Sequence, residues 1–91
     1  MIYKATIQQA YQDAGRELSE PELTETYEAM MSQWEQTSAR NLQILTDRWK
    51  QKTGKQTVDA LTRGQLLNLA DQQASEEVRS EWLDPLTQEV I

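Results

Sequence analysis

The side chains that most often carry acid–base and nucleophilic chemistry are missing from this sequence. It contains neither histidine nor cysteine, so it lacks the group that titrates nearest neutral pH and the thiolate nucleophile. The same absence excludes disulfide bonds and the usual cysteine–histidine zinc sites. We therefore expect no enzyme activity and no metal or other cofactor. Carboxylates, lysines and tyrosines remain as candidates for function.

The most regular group of carboxylates is Glu22, Glu25 and Glu28, which are spaced by three residues near a predicted helix start. Acidic side chains at this end of a helix interact favourably with its dipole, which explains them without any ligand. A cation site built from helical carboxylates usually includes a Glu-x-x-His pair, and this chain has no histidine. We expect these residues to be a solvated first turn.

Charge is distributed unevenly along the chain, whose net charge is −6. Residues 1–38 contain seven acidic and two basic side chains, and residues 65–91 contain six acidic and one basic. The segment between them, residues 39–64, contains two acidic and six basic side chains. The basic segment supplies a candidate anion contact, consisting of Arg48, Lys50, Lys52 and Lys55. These cations also suit a helix C-terminus, and the acidic flanks would repel phosphates. We do not expect direct binding of nucleic acid.

The spacing of the apolar residues predicts an all-α protein, a small helical bundle or hairpin of three main helices at about 3–14, 20–52 and 63–83. A capping box formed by Ser19 and Glu22 marks the start of the second helix. Thr62 and Gln65 repeat that signature before the third helix, and Pro85 predicts its end. We expect residues 1–91 to form a single domain.

The second predicted helix is too long for a compact domain of this size. An unbroken helix over 20–52 would span about 50 Å at 1.5 Å per residue, whereas a compact chain of 91 residues is only about 30 Å across. Two alternatives follow. The helix breaks in its polar middle, residues 35–41, or the molecule is elongated and a partner covers it.

The chain has few apolar residues with which to form a hydrophobic core of its own. Leucine, isoleucine and valine together make 17 of its 91 residues, and phenylalanine is absent. Tryptophan, tyrosine and methionine compensate in part, and these residues are also enriched in protein interfaces. The candidate partner-binding residues cluster in the second helix: Glu25, Tyr27, Glu28, Met30, Met31 and Trp34. Each aromatic residue of this group could equally belong to the core.

Two functional hypotheses follow. The first is a non-catalytic protein–protein interaction module that self-associates, for example as a homodimer, or docks on a larger protein through an apolar and aromatic helix face. The alternative is a small acidic inhibitor, of the type that phages and mobile elements encode, which blocks a basic and possibly nucleic-acid-binding surface of an enzyme complex. We expect a cytoplasmic protein that does not bind membranes, since no segment has the required apolar run.

Overall fold

The computed structural model describes the backbone of residues 1–90 and the side chains of residues 1–86, and all its regular elements are α-helices. Helix α1 spans Lys4–Asp13, α2 spans Glu20–Thr53 and α3 spans Ala60–Val90. Helices α2 and α3 form a long antiparallel hairpin, and α1 packs against both of them at one end. The predicted all-α fold with a long second helix is confirmed.

Helix α2 starts at the residue that the sequence predicts and ends at Thr53, one residue beyond the predicted end. The Ser19 hydroxyl accepts a hydrogen bond from the backbone N–H of Glu22 at 3.3 Å, and the Glu22 carboxylate accepts one from the backbone N–H of Ser19 at 3.2 Å. Pro21 lies in the first turn, where its missing N–H costs nothing. Gly54 ends the helix with a φ of 72°, a left-handed conformation that glycine adopts without strain.

Of the two alternatives for the length of α2, the break at residues 35–41 is wrong and the elongated molecule is correct. The helix is continuous, and the molecule measures 51 × 27 × 16 Å. One side of its polar middle is buried against α3 rather than unwound: Thr37, Ser38 and Asn41 are all buried. The Ser38 hydroxyl donates to the carboxylate of Asp71. These side chains form a polar layer between two helices, which leaves the helical backbone intact.

Helix α3 begins earlier than predicted because its cap is a different residue. The Asp59 carboxylate accepts hydrogen bonds from the backbone N–H of Thr62 at 3.1 Å and from the Thr62 hydroxyl at 2.6 Å. The predicted capping box of Thr62 and Gln65 is therefore wrong, since Thr62 already lies inside the helix. Leu61, the residue before Thr62, is 73% exposed.

Helix α3 also continues past Pro85, so the predicted end at this proline is wrong. A proline inside a helix costs about 3 kcal/mol because it removes one backbone hydrogen bond and crowds the preceding turn. Leu83 and Leu86, on either side of it, are both buried in the core. Burying a leucine side chain contributes about 1.5–3 kcal/mol, so these two contacts offset the proline. Ile91 lies outside the described residues.

The hydrophobic core occupies one end of the molecule. Its buried members come from all three helices and the start of the chain: Ile2, Ile7, Leu23, Met30, Val78, Leu83 and Leu86. We call residues 1–34 and 74–90, which surround this core, the three-helix end. Residues 39–69, where α2 and α3 pair without α1, are the hairpin end. The fold thus has three layers of helix at one end and two at the other.

Candidate functional site

The apolar residues that the sequence proposes as a partner surface lie on the inner side of α2. Met30 is fully buried in the core, while Tyr27, Met31 and Trp34 are half-buried and pack against it. The Trp34 indole N–H donates to the Ser75 hydroxyl at 2.9 Å and to the Asp71 carbonyl at 3.3 Å. A partner could reach Met30 only if the core opened.

The acidic members of the proposed surface remain accessible. Glu25 and Glu28 are exposed on α2, next to Glu20 and Glu22 in the first turn. The Ser19 hydroxyl and backbone N–H, hydrogen-bonded to Glu22, hold the pKa of that carboxyl below its usual value. Among the described residues, no group of three or more acidic side chains is arranged to hold a metal ion. The geometry is that of a solvated, dipole-matched helix start.

Charge separates sharply between the two ends. The hairpin end contains six basic and two acidic side chains, a net charge of +4, while the three-helix end contains three basic and eleven acidic ones, a net charge of −8. The distance between the ends is a large part of the 51 Å length of the molecule, several times the Debye length of about 8 Å at physiological salt. Each end therefore presents its own charge to a partner.

The candidate anion-contact residues surround the tip of the hairpin end. Arg48, Lys52 and Lys55 are exposed, and the Lys55 ammonium lies 5.9 Å from the centre of the Trp49 ring. Lys50 is half-buried and lines an open cleft of about 550 Å³ together with Arg63. Apolar and uncharged polar residues complete the lining: Ala39, Leu42, Gln43, Thr46, Gln56, Thr57 and Val58. The cleft contains two cations and no carboxylate.

Exposed aliphatic side chains also concentrate at the hairpin end. Ile44, Leu61, Leu67 and Leu69 are 41%, 73%, 44% and 42% exposed. The comparable exposed residues elsewhere in residues 1–86 are Met1 and Tyr3, at the start of the chain. Sequence reasoning missed this set. The sequence from Leu66 to Leu69 indicates such exposure, because successive residues of a helix are rotated by about 100°. Three leucines within four positions therefore cannot all lie on one helix face.

The other two tryptophans differ in their surroundings. Trp82 packs against the core, and its indole N–H donates to the side-chain oxygen of Gln33 at 2.6 Å. Trp49 is half-buried at the hairpin end, outside the core cluster. Trp82 thus holds α2 and α3 together, whereas Trp49 adds aromatic surface beside the basic cleft.

Comparisons with known proteins add no assignment to this geometry. No protein family, curated protein or solved structure matches the chain. Within the described residues, no helix is long and apolar enough to cross a membrane.

Proposed function

We propose that this chain is a non-catalytic protein–protein interaction module that binds its partner through the hairpin end. The observation that carries the proposal is the exposure of Ile44, Leu61, Leu67 and Leu69 on the half of the hairpin that α1 does not cover. Large exposed aliphatic side chains bordered by charged residues are typical of protein-binding surfaces. We place the module in the cytoplasm, because the chain has no cysteine to stabilise it by disulfide bonds.

The surface area of the chain also supports this proposal. A compact monomer of 10.5 kDa exposes about 5,400 Å², whereas this chain exposes 6481 Å². The excess, roughly 1,000 Å², is comparable with the 800 Å² or so that one partner contributes to a standard protein interface. The free chain therefore has enough surplus surface for a specific complex.

Site-specific photo-crosslinking tests the proposal. A p-benzoylphenylalanine at position 67 is expected to give one defined adduct on illumination in an extract of the source organism, with the bound protein identified by mass spectrometry. The control carries the same group at Thr6, an exposed position on α1. We expect Leu67→Gln with Leu69→Gln to abolish binding of the identified protein after purification. Equal adducts from both positions, or none from position 67, would argue against the hairpin end.

A second candidate function is favoured by the charge of the opposite end. The three-helix end contains eleven acidic and only three basic side chains. Its negative charge suits an inhibitor that occupies a basic surface of another protein. Such binding would weaken steeply between 0.05 and 0.5 M salt, at which the Debye length falls to about 4 Å. Charge reversal of Glu25 and Glu28 to lysine should abolish it, and salt-resistant binding that depends on Leu67 would exclude it.

A further inference from the structure

We infer that the partner of the hairpin end is a second copy of this chain, packed antiparallel so that two hairpin ends form a four-helix bundle. This inference rests on the proposed function and names its partner. Each copy keeps its own three-helix core, and the two cores lie at opposite ends of the dimer. The bundle would cover the hairpin end as α1 covers the other end.

The lengths of the uncovered helices match each other. Beyond Trp34, the last residue of α2 that packs on the core, 19 residues remain to Thr53, about 28 Å of helix. The part of α3 that precedes Val78, the first residue of α3 in the core, has 18 residues from Ala60, about 27 Å. The hairpin ends of two copies can therefore lie side by side in opposite directions, and neither would overlap the α1 of the other copy.

Charge favours the antiparallel direction. The tip of each copy contains the cleft with Lys50 and Arg63. In the antiparallel dimer, this tip lies beside the place where the hairpin end of the other copy meets its three-helix end. Glu35 and Glu76 are exposed at that level. A parallel arrangement would instead place Lys50 and Arg63 of one tip beside the same two cations of the other, and like charges at close range are unfavourable. Because the dimer is symmetric, it contains this pairing of cations with carboxylates twice.

The same residues fit a nucleic acid less well. Four exposed aliphatic side chains, Ile44, Leu61, Leu67 and Leu69, lie among the basic residues of the hairpin end. Aliphatic side chains gain stability by packing against other apolar groups, whereas single-stranded nucleic acids are bound by stacking on aromatic rings. A second copy supplies the matching aliphatic set from its own hairpin end.

Analytical ultracentrifugation of the full chain tests the dimer. At micromolar concentration we expect twice the chain mass of 10.5 kDa, in a monomer–dimer equilibrium. Leu67→Gln with Leu69→Gln should raise the dissociation constant at least tenfold with circular dichroism unchanged, because both side chains are already partly exposed. A strictly monomeric wild-type chain, or growth beyond the dimer with concentration, would overturn the inference.

Charge reversal tests the direction. Lys50→Glu with Arg63→Glu should weaken the dimer about tenfold at 50 mM salt and much less at 0.5 M. Glu35→Lys with Glu76→Lys should weaken it likewise, and mixing the two double variants should restore association. Lys4→Glu with Arg79→Glu alters the net charge equally at the three-helix end and is the matched control. Equal weakening by the control, or no rescue on mixing, contradicts the antiparallel register.

Cysteine crosslinking gives an independent reading of the register, since the wild-type chain has no cysteine. Gln56→Cys lies at the tip and Gln36→Cys near the start of the uncovered half, and both positions are exposed. A short bismaleimide should link the two variants to each other when mixed, and link neither to itself. Preferential self-linking of Gln56→Cys would show a tip-to-tip arrangement instead. If the chain is monomeric but position 67 still crosslinks to a different protein, the proposed function stands and this inference fails.

Discussion

The two ends of this molecule are built from the same pair of helices but differ in what covers them. At the three-helix end, α1 completes a core in which Ile7, Met30 and Val78 are fully buried. At the hairpin end, Leu67 and Leu69 remain more than 40% exposed. A two-helix hairpin can bury only the seam between its helices, so a third layer is needed to cover the flanks. The buried core therefore lies at one end of the molecule, and most of the exposed aliphatic side chains lie at the other.

The largest expected difference between the ends is in the response to core truncation. Met30→Ala should lower the free energy of unfolding by about 2–5 kcal/mol, because it removes a fully buried side chain and leaves a cavity. Leu67→Ala should cost less than about 1 kcal/mol at concentrations where the chain is monomeric, since that side chain is already 44% exposed. Urea unfolding followed by tryptophan fluorescence measures both. Equal losses would mean that the hairpin end has a core of its own.

The boundary between the two ends contains a buried polar group whose removal should stabilise the fold. The side-chain nitrogen of Asn41 is buried and donates no hydrogen bond to any described residue. Asn41→Leu is therefore expected to raise the free energy of unfolding by about 1–2 kcal/mol. Asn68→Leu, at an exposed position of α3, is the control and should be nearly neutral. A loss of stability in Asn41→Leu would show that the amide is hydrogen-bonded in solution.

The two helix starts should respond differently to removal of a hydroxyl. Ser19→Ala removes the side chain that accepts the Glu22 N–H and should cost about 1 kcal/mol. Thr62→Ala should cost less than half as much, because the Asp59 carboxylate still accepts the N–H of residue 62. Thermal melting of the two variants side by side decides between them. A larger loss for Thr62→Ala would place the start of α3 at Thr62 after all.

The smallest expected effect is a loss of stability in acid that both ends share. Hydrogen bonds from Ser19 lower the pKa of Glu22, and those from the Thr62 hydroxyl and backbone lower the pKa of Asp59. Because these values are depressed only in the folded chain, the stabilisation is complete above the ordinary values of 4.5 and 3.8. It is lost as pH falls through the lowered native values.

The urea midpoint should therefore fall between about pH 5 and pH 3. The fall should be smaller in the double variant Glu22→Gln with Asp59→Asn, which cannot gain these protons. Glu25→Gln, an exposed carboxyl on the same helix, serves as the control and should follow the wild-type curve. Identical acid profiles for all three proteins would assign the acid sensitivity to other groups.

Local signals were read correctly from the sequence wherever a few neighbouring residues decide the outcome. The capping box of Ser19 and Glu22 depends only on hydrogen bonds within one helical turn. The start of α3 shows the limit of this reading. Asp59 and Thr62 are both good capping residues, and in the structure Asp59 accepts the hydrogen bonds at the helix start.

The wrong predictions for α3 and the position of the candidate partner-binding residues have a different origin. Pro85 is tolerated because leucines on either side pack against α1 and α2, which the sequence of α3 does not reveal. Tyr27, Met30 and Trp34 have the composition of an interface, and composition does not distinguish an interface from a core. The position of α1 decides the matter, since it covers this part of α2 and leaves the hairpin end bare.

The sequence by itself determined the helical class, the start of α2, the segregation of charge and the absence of histidine and cysteine chemistry. These properties follow from residue types and from spacings within a helical turn. Only the tertiary structure decided which apolar side chains form the core and which remain exposed. The amphipathic pattern continues along α2 at both ends, while the ten-residue α1 is long enough to cover only one of them. Burial depends on that long-range packing rather than on the pattern alone.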